Sequence, residues 1–156
     1  MKRYLPDDAA TARLARQLWQ ALPDELSGWV LLLDGELGAG KSTFARALIT
    51  AAGHKGAVPS PTYTLVEPYR VSKENIYHID LYRVSDEEEL EYLGWSDLDD
   101  GFCIIEWPER APGLSQQADL ELRLTYHDSG RLARLSGISR RGVGVVEALE
   151  DSDSKS

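Results

Sequence analysis

The chain has 156 residues, too few for two full domains and enough to bury one core without staples. Lys and Arg number 17 against 26 Asp and Glu, a formal net charge of −9 at pH 7, which opposes tight, sequence-independent binding to a nucleic-acid backbone. Cys103 is the only cysteine and excludes an intramolecular disulfide; no stretch approaches the roughly 20 apolar residues of a membrane helix, and no charged-then-apolar leader opens the chain, so a soluble, cytoplasmic protein is expected.

From Asp7 or Asp8, either of which can cap a helix, Ala10, Leu14, Leu18 and Leu22 recur every four residues, with Ala15 and Trp19 widening the stripe. This predicts an amphipathic helix that ends at Pro23. Trp29 to Leu33 then reads as a strand buried on both faces. It runs into GELGAGKS, Gly35 to Ser42, which matches the P-loop pattern G-x-x-x-x-G-K-[ST]. Glycines let a backbone wrap around phosphate oxygens, so that successive N–H groups and the positive end of the next helix face the anion. Lys41 would reach the β- and γ-phosphates, and Ser42 would offer a hydroxyl to Mg²⁺. Phe44, Ala45, Leu48, Ile49 and Ala52 fall at helical spacing after the loop, and Gly53 is a natural stop.

SPTYTLVEPY, Ser60 to Tyr69, is rich in Thr, Tyr and Val and reads as a strand, with Pro68 favouring an edge or a strand end. A loop from Arg70 to Asn75 separates it from IYHIDLYR, Ile76 to Arg83. There the period of two puts Tyr77, Ile79 and Leu81 on one face and His78, Asp80 and Tyr82 on the other. The two runs predict an antiparallel hairpin. Ser85 and Glu88 have the spacing of a capping box ahead of a short helix carrying Leu90 and Leu93; the acidic run Asp86 to Glu89 suits a helix N-terminus and is not read as a metal site. Phe102 to Ile105 is the second wholly apolar run, with Cys103 as a small buried hydrophobe. It ends in Glu106, at the carboxyl end of a buried strand, where α/β sheets bind ligands. This is the Walker B position, with Glu where Asp is usual. Leu120, Leu122, Leu124 and Tyr126 alternate up to the turn His127 to Gly130, and Arg131 to Leu135 return, forming a closing hairpin. From Ser139 the composition turns basic and Gly-rich, then Ser- and Asp-rich, and reads as a tail.

The sequence resembles the TsaE family, also called YjeE, small bacterial ATPases of tRNA threonylcarbamoyladenosine synthesis. The resemblance rests on GELGAGKST at Gly35 to Thr43, SPTYTLVEPY, HIDLYR at His78 to Arg83, EEELEYLG at Glu87 to Gly94 and IIEWPE at Ile104 to Glu109, in that order and spacing. Glu in place of the Walker B Asp is shared with that family. The resemblance implies a single-domain α/β P-loop fold, a central mixed sheet with a parallel core and antiparallel hairpins flanked by helices, over residues 1–138; the composition beyond it reads as a largely flexible tail at 139–156. It implies that Gly38, Ala39, Gly40, Lys41, Ser42 and Thr43 hold ATP, that Ser42 and Glu106 bind Mg²⁺, and that Lys41, Asp80 and Glu106 form the catalytic set, with Asp80 orienting the attacking water. Thr62 and Thr64 would act as a switch near the γ-phosphate. The implied partners are the TsaB and TsaD proteins, with tRNA engaged only through that complex and no membrane. Trp107 is equally compatible with the nucleotide site, a partner or the rim of the core, and Arg131 stays outside the site set.

No arginine finger is evident in the sequence, so slow hydrolysis alone and stimulation by partners are expected. Two other functions share the same loop. A nucleotide-gated binding module would use ATP binding without turnover. A small-molecule kinase would need an acceptor pocket and usually a basic lid, and the segment before Phe102 offers no Arg-rich lid pattern.

Overall fold

Leu31 and Leu33 point to one face of a central strand and Val30 and Leu32 to the other, and all four side chains are buried. A strand covered on both faces belongs at the middle of a sheet. In the computed structural model, which describes residues 1–61, 64–92 and 94–154, that strand is β2, Val30–Gly35. The others are β1 (Lys2–Leu5), β3 (Val66–Val71), β4 (Glu74–Asp80), β5 (Phe102–Glu106), β6 (Leu120–His127) and β7 (Gly130–Gly137). They form one sheet in the order β1-β7-β6-β2-β5-β4-β3. β6, β2, β5 and β4 run parallel; β7, β1 and β3 join antiparallel. The expected mixed sheet, with a parallel core and antiparallel hairpins, is what the chain builds.

Three helices cover one face. α1 (Asp8–Ala21) is capped by Asp7, whose carboxylate accepts from the Ala10 N–H at 2.9 Å, and it buries Ala10, Leu14, Ala15 and Leu18. α2 (Lys41–Ala51) packs against α1 through Phe44, Ala45, Leu48 and Ile49. The third is α4, Arg140–Ser154, which packs on α1 and β7. The opposite face of the central strands is closed by Leu81, Val84, Leu90, Ala111 and Leu114, from short α3 (Glu89–Tyr92) and the turns around it.

Several local expectations are corrected. The segment expected to be a largely flexible tail holds α4 instead, with Val145, Val146 and Leu149 buried. Ser139 starts it, its hydroxyl accepting from the Gly142 N–H and its carbonyl from Val143. The strand expected from Ser60 begins only at Val66, because Pro59 and Pro61 have no N–H and Leu65 takes a left-handed backbone, φ 69°. The loop to β4 shrinks to Ser72 and Lys73, and Pro68 does lie on the edge strand. The capping box is not made: Ser85 donates to the Glu89 carboxylate, and the shorter Asp86 accepts from the Glu88 N–H. Leu93, expected on that helix, lies outside the described residues. β1 has no counterpart in the sequence reading.

Candidate functional site

The parity of two neighbouring strands builds the site. His78 pairs with Ile104 and Asp80 with Glu106, and even-numbered side chains of β4 and β5 face α2. Asp80 and Glu106 therefore end adjacent strands on the side where the loop 35–40 delivers the first turn of α2. That turn opens at Gly40, φ 104°, which offers no capping side chain and leaves the first N–H groups of the helix to an external acceptor. Gly38, φ 81°, makes the preceding bend.

Lys41, Ser42, Thr43, Gly38, Gly40, Asp80, Glu106 and Trp107 line one cleft of about 270 Å³, together with Leu37 and Tyr82. Ser42 Oγ donates to Glu106 Oε1 at 3.0 Å and lies 3.2 Å from Oε2. Glu106 is 2% exposed, so a carboxylate that is ordinarily hydrated is held among polar partners inside the protein. Lys41 folds back on its own loop, donating to the carbonyls of Gly35 and Glu36, with Nζ 3.7 Å from the centre of the Trp107 ring. Burial pushes its ammonium below the ordinary lysine value, against the opposing pull of Glu106, Glu109, Asp34 and Asp80. Trp107 has a left-handed backbone, φ 60° and ψ 52°, uncommon for a bulky residue. The Asp80 carboxylate accepts from the Tyr82 N–H at 2.9 Å, and its own N–H donates to Leu65 O.

The structure thus brings Asp80 and Glu106 together with the consecutive Lys41, Ser42 and Thr43, from which both are far apart in sequence. Ala39 is buried, and its N–H closes the loop onto Glu36 O. Thr64 stands apart: it is exposed and its hydroxyl donates to Glu67. Thr62 lies outside the described residues. A second cleft, about 280 Å³, shares Gly38, Gly40 and Thr43 with the first and continues along the loop to Asp7, Asp8, Thr11, Leu124 and Arg131. Arg131 donates to Gly38 O at 3.2 Å and stacks 4.3 Å from the ring centre of Tyr126, whose hydroxyl donates to Leu37 O. The sequence reading considered Arg131 and set it aside. Asp7 and Asp8 gave only a capping signal, and Thr11 gave none.

Against known proteins, the family model described as threonylcarbamoyl adenosine biosynthesis protein TsaE matches residues 5–134. The chain belongs to the TsaE family. Relatives named tRNA threonylcarbamoyladenosine biosynthesis protein TsaE include that of Haemophilus influenzae, 36% identical over 155 residues, covering 97% of this chain and 98% of the relative. That of Synechocystis is 42% identical over 123 residues, 75% of this chain and 76% of the relative. A crystal structure of Bacillus subtilis YdiB superposes with a TM-score of 0.78 at 24% identity, covering 98% of this chain and 95% of that one, so the fold is shared throughout. Among the described residues, no helix is long and apolar enough to cross a membrane.

Proposed function

We propose that the chain is a Mg²⁺-dependent ATPase serving tRNA threonylcarbamoyladenosine synthesis, the process named for its relatives. The observation that carries this reading is the meeting of Ser42 and Glu106 at the first turn of α2, beside Lys41 and Asp80, in one cleft. The triphosphate lies along Gly38 to Thr43, on the N–H groups of the loop and α2, with the nucleoside directed into the adjoining cleft beside Thr11 and Arg131. Mg²⁺ prefers hard oxygen donors and takes one or two protein oxygens, leaving its remaining positions to phosphate and water. Ser42 and Glu106 fit that demand, and would hold the ion. When bound, the ion neutralises charge on the β- and γ-phosphates.

Lys41 leaves the carbonyls of its own loop for the phosphates, an exchange of two neutral acceptors for an anionic one. Asp80, held from behind by the Tyr82 N–H, orients the water that attacks the γ-phosphate. Among the described residues lining this cleft, Lys41 is the one cation. Charge stabilisation is therefore incomplete, and turnover of the isolated chain is slow. Partners complete it, TsaB and TsaD by family resemblance, and hydrolysis resets their complex. Exposed Leu37, Tyr82 and Tyr126 around the cleft mouth support docking of a protein there, and the net charge of −9 disfavours direct grip on tRNA.

Phosphate release from ATP by the purified chain, alone and with TsaB and TsaD, tests the proposal, with Lys41→Ala as the blank. Slow release that rises with the partners and vanishes in the variant supports it. ATP binding with no release in any mixture turns the reading to a nucleotide-gated binding module, which a cleft with one cation among its described residues also favours.

A further inference from the structure

The Glu106 carboxylate has a second partner, buried more deeply than Ser42. His78 lies within β4, fully shielded from solvent, and its Nε2 is 2.5 Å from Glu106 Oε2. Its Nδ1 meets no polar partner among the described residues. An imidazole with one partner, a carboxylate, carries its proton on Nε2. The other tautomer would oppose lone pairs across that short distance and bury an N–H without an acceptor. A leucine or phenylalanine would fill the same interior space at a smaller desolvation cost, so what the imidazole adds is its N–H.

Glu106 also has a geometric need for such a donor. It stands where P-loop proteins usually have Asp, and its extra methylene adds a torsion that leaves the carboxylate free to swing across the end of β5. Ser42 donates one proton shared between the two oxygens, and that proton must turn away if the hydroxyl oxygen is to coordinate a cation. The Nε2–H of His78 is then the side-chain donor that stays. We propose that His78 is a positioning residue: by fixing Oε2 from inside the sheet it presents Oε1 of Glu106 to the divalent cation, and this makes the longer carboxylate serviceable as a metal ligand. The inference rests on the metal-binding reading of Ser42 and Glu106 given above. Donors behind metal ligands commonly change metal affinity by about 10- to 100-fold.

The test uses the full chain, a fluorescent ADP and Mn²⁺ as the probe ion. The ratio of the ADP dissociation constants in EDTA and in saturating Mn²⁺ reads how well the site takes metal, independently of turnover. His78→Phe is expected to lower this ratio by about tenfold or more, with the EDTA value unchanged. His78→Gln, whose amide N–H can reach the place of Nε2, restores most of it. A His78→Phe variant with the wild-type ratio, or equal losses in Phe and Gln, overturns the positioning role while leaving the metal reading intact. A wild-type ratio near one overturns both. Side-chain ¹⁵N NMR of the wild-type protein gives an answer that does not depend on variant stability: a proton is expected on Nε2, and a ring protonated on Nδ1 alone overturns the inference.

Discussion

Ser42 of α2 and Glu106 of β5 are 64 residues apart in the chain, yet the hydroxyl lies 3.0 and 3.2 Å from the two carboxylate oxygens. A neutral donor and a buried anion in that relation form a contact that a cation can enter, the hydroxyl turning its lone pair outward while the carboxylate stays. Glu106→Gln keeps the shape and removes the charge. It is expected to lower Mg²⁺-supported ATP turnover at least about 100-fold, roughly 2.7 kcal/mol of transition-state stabilisation, while ADP binding in EDTA holds. Ser42→Thr keeps the hydroxyl and should retain turnover within about threefold; Ser42→Ala should not. Steady-state phosphate release across a Mg²⁺ titration distinguishes them.

Asp80 offers a different separation, between binding and chemistry. Its carboxylate is buried at the cleft wall and held by the Tyr82 N–H, a geometry suited to orienting a water. Asp80→Asn keeps the acceptor toward Tyr82 and loses the charge. Turnover is expected to fall about 10²- to 10³-fold, with the dissociation constant for ATP changed less than about twofold. An affinity loss as large as the rate loss would instead make Asp80 a binding residue.

Arg131 supports the loop 35–40 from the far hairpin, through Gly38 O and, by way of Tyr126, Leu37 O. Arg131→Ala releases the first, takes the stacking partner from Tyr126, and removes one wall of the second cleft, where the proposed function places the nucleoside. ATP and ADP affinity should fall alike by about tenfold, near 1.4 kcal/mol. Equal loss for the two nucleotides is the signature, because the contact is to the loop and not to the γ-phosphate. Fluorescent-nucleotide titration measures it.

The parts of this fold that were legible in the sequence are those with strong local signals. Val30 to Leu33 and Phe102 to Ile105 are apolar on every position, and only a doubly covered strand makes use of that; the period of two in β4 likewise put His78 and Asp80 on one face, which the structure turns toward α2. Gly40 was legible as a turn position because its left-handed backbone, φ 104°, is one that residues with a side chain seldom adopt. What was not legible depends on partners distant in sequence. β1 is four residues with no alternation, and forms because β7 offers it an edge. α4 carries two glycines and a Ser/Asp-rich end, poor local credentials, and is held by burial against α1 and β7. The Thr11 and Arg131 cleft brings the start of α1 to the closing hairpin across the loop 35–40, a proximity that no spacing encodes.

Deleting residues 140–156 tests the status of α4 directly. The helix buries Val145, Val146 and Leu149, each worth about 1.5–3 kcal/mol when fully removed from water. It also anchors the N-terminus through Arg3 to Asp153 and Met1 to Glu150. The sum is comparable with the whole stability of a small domain. The truncated chain is expected to unfold at least 10 °C below the full chain (a ~10 °C shift is about 3–4 kcal/mol at this size), or not to fold. Circular-dichroism melting decides; an unchanged midpoint would return the segment to the status of a tail.

Asp119 ties the start of α4 to the core, and it makes stability depend on pH. Its carboxylate accepts from Val30 N at 2.9 Å, Ser139 Oγ at 2.7 Å and Arg141 Nε at 2.8 Å, while Arg141 also reaches Gly28 O and lies over the Trp29 ring. Burial alone would push the carboxyl upward, but the hydrogen bonds from Arg141, Ser139 and Val30 outweigh it and hold the value below 3.8. The unfolded chain therefore takes up the proton first as the pH falls, so stability contributed by Asp119 is complete above the unfolded value and is lost as the pH drops through the folded one. Asp119→Asn cannot titrate and leaves Arg141 without its anion; a cost of about 2–3 kcal/mol at neutral pH is expected. Urea unfolding of the two proteins between pH 6 and 3 should show a constant gap down to about pH 4 that narrows below it. A gap that stayed constant to pH 3 would mean that Asp119 holds α4 by shape and not by charge.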